Sequence, residues 1–199
     1  MTGCAATDAA YGVGELLTIT CTFDEAVTVT GTPTVTLSNG DVASYASGTT
    51  SANIVFTTTI AQGDSTSADL AVSSIQSTAG GATMVDAAGN AIDTTVTAGD
   101  LGTVTVDGAV PVFSSVAATD GAYGVGETLS ITVTWGEAVV VSGTPTLTLS
   151  NGDTASYASG TGSTALVFTT VIAEDDTASA DLSVSAFGGT ITDAAGGAA

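Results

Sequence analysis

"LTITCTF" occupies residues 17–23, and "LSITVTW" occupies residues 129–135. In both, large apolar side chains alternate with Thr or Ser, a period of two that places every apolar group on one face of a strand. Further alternating runs, "TPTVTLS", "NIVFTTTI" and "ADLAVSSI", are rich in Val, Ile and Thr, residues that suit a pleated chain. No stretch carries a helical period. "SNGD" at residues 38–41 and again at 150–153 separates two of the runs, and its Asn-Gly pair predicts a hairpin with a type I′ turn.

The two opening stretches belong to a repeat. "DAAYGVGELLTITCTFDEAVTVTGTPTVTLSNGDVASYASGT" from Asp8 realigns with "DGAYGVGETLSITVTWGEAVVVSGTPTLTLSNGDTASYASGT" from Asp120, and the likeness continues to Ile75 and Phe187. Copy one therefore spans residues 1–107 and copy two residues 108–199. The short junction "VDGAVPVF" carries one Pro and reads as stiff. About seven short strands per copy, split by Gly and Asn turns, predict an all-β chain of two tandem Ig-like antiparallel β-sandwich domains. After "DAAGN" at residues 86–90, copy one continues through "LGTVTVDG"; after "DAAGG" at residues 193–197, copy two has no counterpart. The second sandwich is thus expected to lack its last strand. Either the chain is cut from a longer repeat array, or a neighbour completes it.

Composition narrows the chemistry. The chain has 199 residues and 20 carboxylates, no Lys, Arg or His, a formal charge of −20 and 44% hydrophobic residues. That apolar content supports a packed core and excludes a disordered acidic tail. Nucleic acid is not an expected partner, because neutralising phosphate needs cations. Anionic membrane surfaces are disfavoured for the same reason, and no apolar run is long enough for membrane insertion. The first residues lack the basic start and apolar core of a signal peptide, so the secretion signal lies outside this chain or export does not use one.

The absent residue types also argue against an enzyme. Ser and Thr have no His or Lys as a base, and no side-chain cation is available for an oxyanion or phosphoryl group. "GVGE" at residues 12–15 precedes a strand, so it reads as a turn and not a phosphate loop. Adjacent acids such as Asp24 with Glu25, and Glu174 with Asp175 and Asp176, lack the flanking aromatic platform expected of a glycosidase.

Calcium is the sharper hypothesis, since it takes oxygen ligands from acidic loops. With strands alternating in direction, the loops bearing Glu25 or Glu137 and Asp86 or Asp193 return to the end where the chain enters each sandwich. Asp107 arrives at that end of copy two. Asp107, Glu137 and Asp193 are the predicted ligand set, with Glu25, Asp86 and Asn90 as the copy-one equivalent. The opposite end gathers Asp8 with Glu15, and Asp120 with Glu127. Calcium at these positions would offset repulsion and stiffen the junction. The competing reading makes the same acids solvated turn residues with Asx-type hydrogen bonds. Cys4 and Cys21 align with Val116 and Val133 and lie symmetrically about the turn "AYGV", which leaves a disulfide and two buried thiols as alternatives.

"FDEAV" at residues 23–27, "WGEAV" at 135–139, the "DAAGN" loop and "VDGAVPVF" carry a family likeness. Over essentially its whole length the chain resembles bacterial Ig-like tandem repeats of very large cell-surface and adhesin-type proteins, departing from the pattern at "DAAGG". The resemblance implies an extracellular, non-catalytic extender or stalk module whose partners are neighbouring repeats. The alternative is a filament, sheath or surface-layer subunit that assembles head to tail with identical chains by strand exchange. Thr-x-Thr runs also raise glycan or ice binding, although Thr is ordinary on the solvent face of a strand.

Overall fold

The structure is a computed structural model that describes residues 1–96 and 99–197. The chain divides into two compact units, Met1–Ala109 and Val110–Ala199. Both are β-structures whose main sheets are antiparallel, and the helical content among the described residues is one 3-10 turn, Ala79–Gly81.

The first unit contains β1 (Gly3–Ala5), β2 (Ala10–Gly12), β3 (Leu16–Thr30), β4 (Thr34–Leu37), β5 (Val42–Ser47), β6 (Ser51–Thr59), β7 (Val72–Gln76), β8 (Thr83–Val85) and β9 (Thr105–Asp107). Its main sheet runs β1-β3-β6-β5-β4-β7, with β8 on the second half of β3. The alternation read in "LTITCTF" becomes burial: Leu17, Ile19, Cys21 and Phe23 are in the core, where they meet Ile54, Phe56 and Val35. Cys4 lies opposite Cys21 in the β1–β3 register, and the two form a disulfide.

The second unit contains β10 (Phe113–Ala118), β11 (Thr128–Leu149), β12 (Thr154–Ser159), β13 (Ser163–Val171) and β14 (Val184–Thr192). Its core holds Leu129, Ile131, Val133 and Trp135 with Leu147, Leu166 and Phe168. Val116 pairs with Val133 where the first unit has its disulfide.

About seven short strands per copy were expected, and the two units depart from that number in different directions. In the first, β3 and β4 are separate; in the second, β11 runs unbroken through the same region. The chain takes eleven residues from Ile75 to Asp86 but only six from Phe187 to Asp193. The shorter route lets β14 pair with both halves of β11, whereas β7 and β8 must share that task around the 3-10 turn.

The "SNGD" hairpins form, but not through a type I′ turn. That turn needs two residues at positive φ, and of Asn39 and Gly40 only Gly40 has one, at +99°. The Asn39 side chain bonds to Asp41 instead: its Nδ2 donates to the carboxylate at 2.6 Å and its Oδ1 accepts from the Asp41 N–H at 3.2 Å. Asn151 and Asp153 repeat the arrangement. This side-chain clasp holds the loop, in which a Gly at positive φ follows an Asn whose φ is not positive.

One segment of the first unit closes its core. Leu101, Val104 and Val106 are fully buried. Strand β9 pairs in parallel with β2 on one side, and on the other Leu70 N donates to Val104 O at 2.8 Å and Ser67 N to Val106 O at 3.0 Å.

Candidate metal centre

The site is built on Asp193, the single buried charged residue among those described, with 3% of its surface exposed. It opens the loop after β14. Its Oδ1 accepts the N–H groups of Ala195 and Gly197 at 2.8 and 2.9 Å, and its own N–H donates to Gly197 O at 2.9 Å. These bonds turn the loop back on itself and hold the carboxylate in one orientation. Its Oδ2 is buried and has no hydrogen-bond partner.

Such an atom is costly to leave unpartnered. In most proteins a nearby Lys or Arg would meet it, but this chain contains none. Its neighbour is instead a further acid. Glu137 and Asp193, both of the second unit, each offer a carboxylate oxygen, and the two oxygens lie within 4.8 Å of each other. Glu137 lies within β11 and is half-buried, while the predicted Asp107 is the last residue of β9, in the first unit. At an effective dielectric constant of about 20, two unit charges at that distance repel by about 3 kcal/mol.

The geometry and the donor set suit a hard divalent cation. Calcium binds oxygen at about 2.3–2.6 Å, so two ligands of one ion lie no more than about 5 Å apart. Two carboxylate groups supply only part of the six to eight oxygens that calcium takes; backbone carbonyls and water ordinarily supply the rest.

The other predicted ligands fall into different arrangements. Asp86 and Asn90 satisfy each other: Asp86 Oδ1 accepts the N–H groups of Ala88 and Asn90, both at 2.8 Å, and its Oδ2 accepts Asn90 Nδ2 at 2.7 Å. The Asn90 amide, followed by its backbone N–H, holds the Asp86 carboxyl below the usual 3.8. Glu25 and Asp24 are exposed. At the first turn of the second unit, Glu127 accepts the Gly124 N–H at 2.6 Å while Asp120 is exposed. Glu15 accepts the Gly12 N–H at 3.0 Å in the same way, and Asp8 accepts the N–H of Thr103 at 2.9 Å. Asp8, Glu15, Asp86 and Glu127 thus serve as turn and loop clasps, the reading that competes with calcium at these positions.

One feature lay beyond sequence reasoning. The orphaned Oδ2 of Asp193 depends on Gly197 standing where the first loop has Asn90, a difference visible in "DAAGG" but meaningful only once the loop geometry is known. The second unit also has an open cleft of mixed lining, with Val116, Leu149 and Ile172 beside Asp120, Glu174 and Asp176, and a volume of about 850 Å³. Among the described residues no helix is long and apolar enough to cross a membrane. No protein-family model matches this chain, and a search of curated proteins finds no match either.

Proposed function

We propose that this chain is a pair of Ig-like extender modules of a bacterial cell-surface or adhesin-type protein, non-catalytic and stabilised by calcium. The observation that carries this reading is the buried, unpartnered carboxylate oxygen of Asp193 with the Glu137 carboxylate beside it. Extracellular calcium modules typically bind with dissociation constants of about 10⁻⁴–10⁻³ M, which suits a site of few carboxylates. The Cys4–Cys21 disulfide agrees with an oxidising, extracellular setting. A formal charge of −20 with no basic side chain favours cations as the binding partners of the surface.

Calcium bound to the folded state alone stabilises it by mass action, about 2.7 kcal/mol at a hundredfold excess over the dissociation constant. For a unit of this size that is a rise in Tm on the order of 10 °C. Calorimetric melting of the whole chain in chelator and then in millimolar calcium tests it. Superimposable traces would end the calcium reading, and magnesium acting equally well would replace calcium with a non-selective cation.

The second reading, a filament, sheath or surface-layer subunit completed by a neighbour, is favoured by a different observation, the open cleft of the second unit. Size at micromolar concentration separates the two: a monomer supports the extender, and a concentration-dependent polymer supports the filament.

A further inference from the structure

Residues 38–41 and 150–153 both read Ser-Asn-Gly-Asp, and Asn followed by Gly is the pair most prone to spontaneous deamidation. Glycine has no side chain to hinder its backbone nitrogen as that nitrogen attacks the amide carbon of the preceding Asn. The other Asn residues, Asn53 and Asn90, precede Ile54 and Ala91, whose side chains crowd the approach. The reaction needs no oxidant or reductant. The Gly nitrogen gives up its proton and bonds to Asn Cγ, the Cγ–Nδ2 bond breaks, and Nδ2 leaves with the proton as ammonia. A water molecule then opens the cyclic imide at either carbonyl, leaving Asp or, with the main chain routed through the side chain, isoaspartate.

The nucleophile, the leaving group and the amide oxygen are all tied in the folded first unit. Gly40 N donates to Leu37 O at 3.1 Å. Asn39 Nδ2 donates to Asp41 Oδ2 at 2.6 Å and to Ser65 O at 3.4 Å, and Asn39 Oδ1 accepts the Asp41 N–H at 3.2 Å. The hairpin is also pinned on its flanks. Leu37 N donates to Asp41 O and Ser38 N to Ala71 O, both at 2.8 Å, and Ala71 N donates to Ser38 Oγ at 3.0 Å.

The second unit repeats every part of this lock. Gly152 N donates to Leu149 O at 3.0 Å, and Leu149 N to Asp153 O and Ser150 N to Ser183 O at 2.8 Å. Asn151 and Asp153 share the same two side-chain bonds, and Ser183 N donates to Ser150 Oγ at 3.1 Å. For the Gly nitrogen to reach Cγ, the Asn side chain must leave the Asp and the Gly N–H must leave its carbonyl. Reaction therefore waits on local opening of the hairpin.

We propose that Asn39 and Asn151 are deamidation sites which the Asn–Asp clasp keeps intact in the folded chain, and that modification turns each clasp into a pair of like charges that opens its hairpin. The new carboxylate stands where the amide donor stood, against Asp41 or Asp153, and like charges at that separation repel. The chain has no Lys, Arg or His to come between them. The isoaspartate product also lengthens the main chain within the turn. Each hairpin is thus a slow, one-way charge switch, and modification of both adds two negative charges to the formal −20.

The test incubates the full chain in warm, mildly alkaline buffer, folded and in denaturant, and maps modified Asn by peptide mass spectrometry. Asn39 and Asn151 should react at least about tenfold more slowly in the folded chain, in proportion to how seldom the hairpins open. Asp41→Ala should speed reaction at Asn39 in the folded chain but not in denaturant, with Asn151 as the internal reference. Asp153→Ala should do the converse. The product is read directly in Asn39→Asp, where hydrogen exchange at the Leu37 and Asp41 amides should quicken at least about tenfold while Leu149 and Asp153 stay as they were. Equal rates for folded and denatured chain overturn the lock, and that comparison needs no variant. Acceleration by Asp41→Ala in denaturant as well as in the fold assigns the effect to local chemistry and overturns the clasp. Unchanged exchange in Asn39→Asp overturns the switch.

Discussion

At residues 86–90 the first unit reads Asp-Ala-Ala-Gly-Asn, and at 193–197 the second reads Asp-Ala-Ala-Gly-Gly. Both loops use the Asp Oδ1 to gather the N–H groups two and four residues on. They part at the other oxygen. Asn90 Nδ2 reaches Asp86 Oδ2 at 2.7 Å, whereas Gly197 has no side chain to offer and Asp193 Oδ2 is left buried and unpartnered. One loop is electrostatically complete within itself; the other leaves an acceptor next to a further acid, Glu137. A single side chain thus separates a structural turn from a candidate cation site. The contrast extends to the units as wholes: the first is cross-linked and closed over its core, and the second has a valine pair in place of the disulfide and an open cleft.

The largest expected effect comes from making the first unit resemble the second at its cross-link. Replacing Cys4 and Cys21 by Val, as at Val116 and Val133, removes a bond that closes a sequence separation of 17 residues. The loss is about 3 kcal/mol by the chain-entropy account, read as a lower Tm for the first unit alone. An unchanged Tm would mean that the apolar valine pair compensates fully.

Next in size is Asp193→Asn. It should abolish the calcium-dependent stabilisation, about 2.7 kcal/mol at a hundredfold excess of ion, whereas Asp86→Asn and Glu25→Gln should leave it intact. Calorimetry of the three variants with and without calcium checks this, and a retained calcium response in Asp193→Asn would remove Asp193 from the site.

Gly197→Asn converts the second loop into a copy of the first. The new amide should partner Asp193 Oδ2, raising stability in chelator by about 1 kcal/mol and weakening calcium binding. Stronger calcium binding would contradict the idea that Asn90 closes the first loop to metal.

The smallest effect is the reverse exchange, Asn90→Gly. Asp86 is held below its ordinary 3.8 mainly by the Asn90 amide. A depressed carboxyl stabilises the fold above the unfolded value and loses that contribution as pH falls through the folded one. The variant should therefore bring Asp86 titration, followed by NMR, back towards 3.8 and reduce the loop's share of stability at neutral pH. No movement would assign the depression to the backbone N–H groups.

Much of the fold was legible because burial in a sheet writes a period of two into the chain. Leu17 to Phe23 and Leu129 to Trp135 are core positions for that reason alone. The hairpin positions at "SNGD" were legible too, but the turn type was not, because Asn39 has a side-chain partner in Asp41 that competes with a left-handed backbone. Among the site residues, Glu137 and Asp193 could be grouped from strand direction and loop order. Asp86 with Asn90 could not be told from them by sequence, since both loops offer Asp at the same place.

The sequence by itself determined that the chain is β, that it repeats, and that cations must come from outside, because period, internal likeness and composition are properties of the chain alone. Only the tertiary structure decided which carboxylate is left without a partner and that Cys4 and Cys21 are joined. Both depend on distances between segments apart in sequence. Hydrogen bonding and burial act across such distances, and no local pattern records them.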